Sequence, residues 1–188
     1  MTAISPNTPT TSMYEQVMGA EFSTLGAAVQ RFHRLAGRHE LHGWVETVAP
    51  QSWPAKLLAW CLGTPTQAGQ GPIRFELHAQ PDHETWTRFF PMQTMRSRLQ
   101  RRGGDIVESL GAARLTFALL AREQGLVMRL QQLHFLGIRC PAWLAPRIVA
   151  EESGEGGQLQ FRVAASVPGI GVVASYRGHL ILPTQEFA

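Results

Sequence analysis

Residues 84–105 read ETWTRFFPMQTMRSRLQRRGGD. Whether this run is a basic surface or a pair of half-buried strands decides the fold. It packs five arginines among aromatics and methionines. A period of two resolves the mixture. On the arm after Pro91-Met92-Gln93, residues Met95, Ser97 and Leu99 face one way, while Arg96, Arg98 and Gln100 face the other. That alternation predicts a β-hairpin turning at Pro91–Gln93, with Arg101 and Arg102 solvated in the turn that follows. No polyanion is needed to explain the arginines.

The same period runs outward from the hairpin. In 72–80, PIRFELHAQ, residues Ile73, Phe75, Leu77 and Ala79 share one face and Arg74, Glu76 and His78 the other. In 158–167, Leu159, Phe161, Val163 and Ala165 turn inward, and 171–182 group Val172, Ala174, Tyr176, Leu180 and Leu182. Glycine-rich punctuation separates these runs at 102–105, 124–125 and 154–157. The segment 112–122, AARLTFALLAR, suits a helix by propensity, but it is read here as the first arm of a long hairpin with LVMRLQQLHFLGI. In the second arm the apolar face switches from even positions (Leu126, Met128, Leu130) to odd ones (Leu133, Phe135), which predicts a bulge near Gln131-Gln132.

Helices are expected near the start. Tyr14, Val17, Met18, Leu25, Ala28, Val29 and Phe32 recur at three- and four-residue spacing, with Gly19 dividing a short helix from a longer one that Ser23 caps and Gly37 ends. Another is expected over 54–62, with Ser52 as cap, Pro54 in the first turn and Gly63 after the end. The fold class is therefore α+β and predominantly antiparallel β: a strongly curved sheet or partial barrel of about 8–10 strands with two or three packed helices. Residues 1–12 read as a disordered tail, 13–183 as a single globular domain and 184–188 as a C-terminal tail.

Composition narrows the class of function. Of 188 residues, 44% are hydrophobic and only 16% charged, against about 25% in an average domain, so the core is large. The net charge is +3, and Lys56 is the single lysine beside sixteen arginines. Carboxylates are spread among those arginines, so nucleic acid is not an expected partner. No stretch approaches the roughly 18 apolar residues of a membrane span. The N-terminus lacks the basic and apolar regions of a signal peptide, so a cytoplasmic location is expected. Cys61 and Cys140 form no CxxC pair. Cys61 reads as buried and Cys140 as the more exposed thiol.

Motifs that carry chemistry are absent or weak. His39 and His42 are three apart on an expected strand, so they point to opposite faces and cannot share one ion. His78, Asp82, His83 and Glu84 surround a turn that is more simply solvated, and no metal site is assigned. There is no G-x-S-x-G elbow, the Val167–Val173 stretch lacks the third glycine of a dinucleotide fingerprint, and no phosphate-binding GxxxxGK[ST] occurs. No cofactor is expected. Glu151, Glu152 and Glu155 beside glycines read as a solvated loop, and Asp105 and Glu108 as a balance to the arginine hairpin.

A succession of local patterns resembles one bacterial family. It runs from Met13-Tyr14-Glu15-Gln16-Val17-Met18-Gly19 through Phe22-Ser23-Thr24-Leu25 to Arg31-Phe32-His33. It continues in Trp86-Thr87-Arg88-Phe89-Phe90 and Met95-Arg96-Ser97-Arg98-Leu99. It ends with Leu136-Gly137-Ile138, Pro141–Pro146, Val167-Pro168 and Tyr176-Arg177-Gly178-His179-Leu180. Together these are similar to the domain of unknown function 4166 family over nearly the whole chain. The resemblance implies a domain found alone or behind a saccharopine-reductase-like Rossmann domain. No such domain is expected within residues 1–188, and the resemblance brings no catalytic residues with it.

The leading expectation is a non-enzymatic or accessory domain that holds an apolar, lipid-like molecule in a sheet concavity. Arg88, Arg96 or Arg98 would meet its acidic head group, since guanidinium matches carboxylate and phosphate geometry. The rival is a small enzyme acting on an apolar substrate beside a partner oxidoreductase, with His33, Tyr176 and His179 as its first candidates. A purely structural or protein-interaction module is the third reading. Oligomeric state is not legible.

Overall fold

In the computed structural model, which describes residues 11–183, the 84–105 stretch forms the antiparallel pair β3 (His83–Phe89) and β4 (Thr94–Arg102). Its neighbours are β1 (Gly37–Thr47), β2 (Gly69–Ala79), β5 (Asp105–Leu110), β6 (Ala113–Arg122) and β7 (Gly125–Phe135). The two-residue β8 (Ile138–Arg139) precedes β9 (Arg147–Glu155), β10 (Gln158–Val167) and β11 (Gly171–Ile181). Each strand from β1 to β7 pairs with the next, β7 meets β9, and β9, β10 and β11 follow in order. The last strand then returns to the first, with His42 opposite Ile181 and Thr47 opposite Tyr176. Ten strands thus close a barrel, and β8 hangs on the end of β7. The partial barrel expected from the sequence is in fact closed. Alternation tells which face each strand buries, but not that β1 and β11, more than 120 residues apart, join as partners.

The segment expected over 112–122 is strand from Ala113 to Arg122, and the β6–β7 hairpin turns through Glu123 and Gln124, both with positive φ (49° and 65°). The expected bulge is present. Thr116 pairs with Gln132 and Phe117 with Leu130, which leaves Gln131 as the extra residue. Because β7 bends there, its registered pairing with β9 is limited to Leu126–Glu152 and Val127–Glu151. Beyond that seam the chain segment 136–146, which includes the short β8, contributes Cys140, Leu144 and Pro146 to the cavity lining.

Three short helices close the ends. α1 (Met13–Met18) starts with a capping box: the Glu15 N–H donates to Ser12 Oγ (3.2 Å), and the Ser12 N–H donates to Glu15 Oε2 (3.0 Å). A 3-10 turn (Gly19–Thr24) leads to α2 (Ala27–His33). Ser23 does not cap α2. Its hydroxyl donates back to the Ala20 carbonyl, and Gly26 holds the cap position through a backbone bond to Gln124 O at 2.6 Å. The helix also stops at His33, short of Gly37, which opens β1 with φ 85°. α3 (Trp53–Leu62) keeps the expected signals: Ser52 Oγ accepts from the Ala55 N–H, and Gly63 is left-handed.

These helices define two ends. α1 and α2 plug one, the capped end, with Met13, Tyr14, Val29 and Phe32 buried against strand faces. α3 covers the opposite, far end between β1 and β2, tied to the β10–β11 turn by the Ser52 hydroxyl donating to Ile170 O (2.7 Å). Inward residues follow the expected alternation in β2, β4 and β10. In β11 the phase slips: Val173 is buried and Val172 is exposed, because the β10–β11 register shifts at Ala165/Ser166. Cys61 is half-buried, as is Cys140. The tails expected at 1–12 and 184–188 lie, apart from Thr11 and Ser12, outside the described residues. No described helix is long and apolar enough to cross a membrane.

Gly111 is where α3 touches the barrel. Its φ is +53°, and an added Cβ would sit 2.3 Å from Cys61 O. Gly111→Ala is expected to lower stability by about 2 kcal/mol or more, whereas Gly104→Ala, with nothing within 4 Å, stays near wild type. The urea midpoints of the two variants check this.

A cavity inside the barrel

The inward faces do not fill the barrel. They leave a mostly apolar cavity of about 300 Å³, within the range of about 300–1,000 Å³ typical of small-molecule sites. It extends from Phe32 and Glu152 near the capped end to Leu58, Leu62, Leu144 and Ile170 at the far end. Phe75, Trp86, Leu115 and Phe117 are among the side chains that wall its middle. The lining carries four charged side chains, Arg88, Glu108, Glu151 and Glu152, together with the Tyr176 phenol.

Arg88 is inward because it shares the β3 face with Glu84 and Trp86. It is 7% exposed. Its Nη1 donates to Ser97 Oγ at 3.2 Å, and its guanidinium lies 4.9 Å from the Trp86 ring and 5.6 Å from Phe75. It takes part in none of the ion pairs among the described residues. Arg96 and Arg98 do not join it. They alternate with buried Met95, Ser97 and Leu99, so both point outward into solvent. With Arg101 and Arg102 also exposed at the end of β4, the hairpin splits its arginines, one inside and four outside.

Tyr176 is buried on the cavity wall, with its ring 5.3 Å from Phe90. Burial raises its pKa, Arg88 partly offsets this, and Glu108 and Glu152 add to it. His179 lies three residues on and on the outer face, between Trp44 and Gln160 of the neighbouring strands. It is out of phase with the inward Tyr176 and Leu180.

His33 is fully buried at the capped end, behind Phe32. Its Nε2 lies 2.6 Å from Glu152 Oε2, and its ring stacks on Tyr14 with centroids 3.7 Å apart. Glu152 belongs to β9, not to a solvated loop, and its carboxylate turns into the barrel. The helix α2 brings His33 to it across 119 residues of sequence, so no local pattern announces the pair. His33 Nδ1 and the Tyr14 hydroxyl have no hydrogen-bond partner among the described residues. Burial, followed by the Glu84, Glu152 and Glu108 carboxylates, pushes the Tyr14 pKa well above 10 despite Arg88.

Glu84, placed by the sequence in a solvated turn, is instead buried on the inward face of β3. It is 3% exposed and accepts a 2.7 Å bond from Trp86 Nε1. Desolvation pushes its pKa from 4.5 up to about 7, against the opposing effects of His33 and the Trp86 bond, while Glu152 adds to the rise. Its inward position separates it from His83, which pairs with Asp82 outside at 2.8 Å. His39 and His42 diverge: His39 Nε2 bonds Ala36 O, and His42 lies beside Glu40. No cluster of three metal-ligating side chains occurs among the described residues.

Fold and site define a closed, ten-stranded antiparallel barrel around an apolar cavity with a buried guanidinium on its wall. The chain belongs to the family described as domain of unknown function (DUF4166), whose pattern matches residues 25–180. Among solved structures it is similar to Rv2717c from M. tuberculosis, at 9% identity over 85% of this chain and 99% of that one, with a TM-score of 0.48. No curated protein matches it.

Glu84 makes stability depend on pH. Between about pH 4.5 and 7 the folded state keeps a proton that the unfolded chain has lost. Stability therefore falls as pH rises through that window, by up to about 3 kcal/mol, and the deficit is complete above it. Glu84→Gln is expected to flatten this part of the profile and to raise the melting temperature at pH 8 relative to wild type. Thermal unfolding from pH 4.5 to 8 measures both.

Proposed function

We propose that this domain binds an apolar small molecule with an acidic head group inside the barrel. The observation that carries the reading is Arg88. It is a buried guanidinium on the wall of an apolar cavity, with a neutral serine and two aromatic rings as its partners. Burying a charge without an opposite charge is costly. A ligand carboxylate or phosphate would supply that charge and accept the remaining guanidinium donors. The cavity's apolar length would take the tail, and Tyr176, held as the neutral phenol, would donate a further hydrogen bond. Glu108 on the same wall disfavours a second negative group, so the reading specifies a single acidic head.

The test uses a fluorescent long-chain fatty acid and the matching alcohol. Wild type is expected to bind the acid at least about tenfold more tightly, the equivalent of one charge-assisted bond. Arg88→Met, which keeps the apolar stem, should bind the two equally. Glu108→Gln should strengthen acid binding. Native mass spectrometry of the freshly purified protein gives an independent readout of a bound molecule. Wild-type protein that does not distinguish acid from alcohol would overturn the reading.

A further inference from the structure

The two ends of the barrel differ in charge and polarity. At the far end, Trp53, Trp60, Leu136, Ile138 and Trp143 are each 73–76% exposed, and Met92 in the β3–β4 turn is 73% exposed. The other large exposed apolar residues sit mainly on the barrel wall, singly, as Trp44, Leu120, Val149 and Ile181 do. The segments that carry the far-end residues are joined to one another by backbone hydrogen bonds. The Ala112 N–H bonds Cys61 O at the end of α3 (3.1 Å), and the Leu136 N–H bonds Ala112 O (2.9 Å), which ties α3 to the 136–146 segment.

Charge is distributed in the same sense. The far-end connections, residues 48–68, 90–93, 111–112, 136–137, 140–146 and 168–170, contain Lys56 and not one aspartate or glutamate. Arg139 on β8 and Arg147 at the start of β9 add exposed positive charge beside them. The capped end instead carries charges of both signs, Glu15, Glu21, Asp82, Asp105, Glu123 and Glu155 beside Arg31, Arg34, Arg38, Arg101, Arg102 and Arg122, so what sets the far end apart is its lack of carboxylates. Six large apolar side chains exposed at one end of a barrel mark a contact site. Tryptophans with scattered cations and no carboxylates fit the interface of an anionic bilayer, where indole rings settle at headgroup depth and each basic residue gains from the negative surface potential.

We propose that the far end of the barrel is a membrane-docking face that seats on anionic lipid headgroups. Docking itself stands on this surface alone. Its use rests on the ligand reading above: Leu58, Leu62 and Leu144 line the cavity from the same segments that place Leu57, Trp60 and Trp143 outside. Seated this way, the thin wall between cavity and bilayer would be α3 and the 136–146 segment. An apolar ligand would pass between barrel and lipid there without crossing water.

The experiment is co-sedimentation of the full chain with vesicles of phosphatidylcholine, with and without phosphatidylglycerol. Partition is expected into the anionic vesicles, with a blue shift of tryptophan emission, and it should weaken as salt is raised. Trp60→Gln with Trp143→Gln should reduce it about tenfold, and Lys56→Glu with Arg139→Glu should abolish the preference for the anionic lipid. Trp44→Gln on the barrel wall should leave partition unchanged. The proposal is overturned if the protein stays in solution with anionic vesicles at low salt. It is also overturned if Trp44→Gln weakens binding as much as the far-end pair, or if the far-end pair only dissolves a self-associated dimer. Arg88→Met separates the two readings, since it should lose acid selectivity and still sediment with vesicles. Vesicle binding by a protein that takes up no acid probe would remove the ligand reading and leave the docking face standing.

Discussion

Pairing of β1 with β11 is the constraint on which the rest depends. An open sheet of this length would leave two rows of unpaired N–H and C=O groups and would have to curl or stack to hide its apolar face. Joining Gly43–Leu180, Val45–Gly178 and their neighbours removes those edges and turns every inward side chain toward a common axis. The consequence is geometric. Ten strands enclose more space than their inward residues fill, so a cavity persists even though each strand has an ordinary apolar face.

Closure also fixes the electrical character of the interior. Arg88 and Glu84 come from β3, Glu108 from β5 and Glu152 from β9, and a flat sheet would let them reach water. Inside the barrel each must find a partner or change its protonation. Glu152 has His33, and Glu84 has the Trp86 indole together with a strongly raised pKa. Arg88 has neither a carboxylate nor the option of losing its proton at neutral pH. It is buried, cationic and bonded only to a serine hydroxyl, and for that reason it directs the functional reading.

Much of the fold was legible because local physics is enough for it. A two-residue period reports which face of β2, β4 or β10 is apolar, wherever the strand ends up. The switch of face at Gln131 signalled a bulge for the same reason, and Ser52 with Gly63 bracketed α3 through hydrogen bonds a few residues long. Arg96 and Arg98 were legible as one face of a strand, but not as the outer face. Arg88 was grouped with them on proximity in sequence, although its own strand places it on the opposite side of the sheet. Glu152 was misread as a loop residue because glycines follow it. Nothing local distinguishes a carboxylate that meets solvent from one that meets a histidine 119 positions away.

The sequence by itself determined the alternation, the helix caps, the turns and the dominance of antiparallel pairing, since these depend on dihedral preferences and on neighbours within a few residues. Only the tertiary structure decided that the sheet closes, that a cavity survives inside it and that one arginine of five in the hairpin is buried there. It also gathered the exposed tryptophans at one end and the carboxylates of loops and helices at the other. Those outcomes depend on which distant strands share a register, and register between distant strands is set by the simultaneous burial of all the inward faces, not by any one segment.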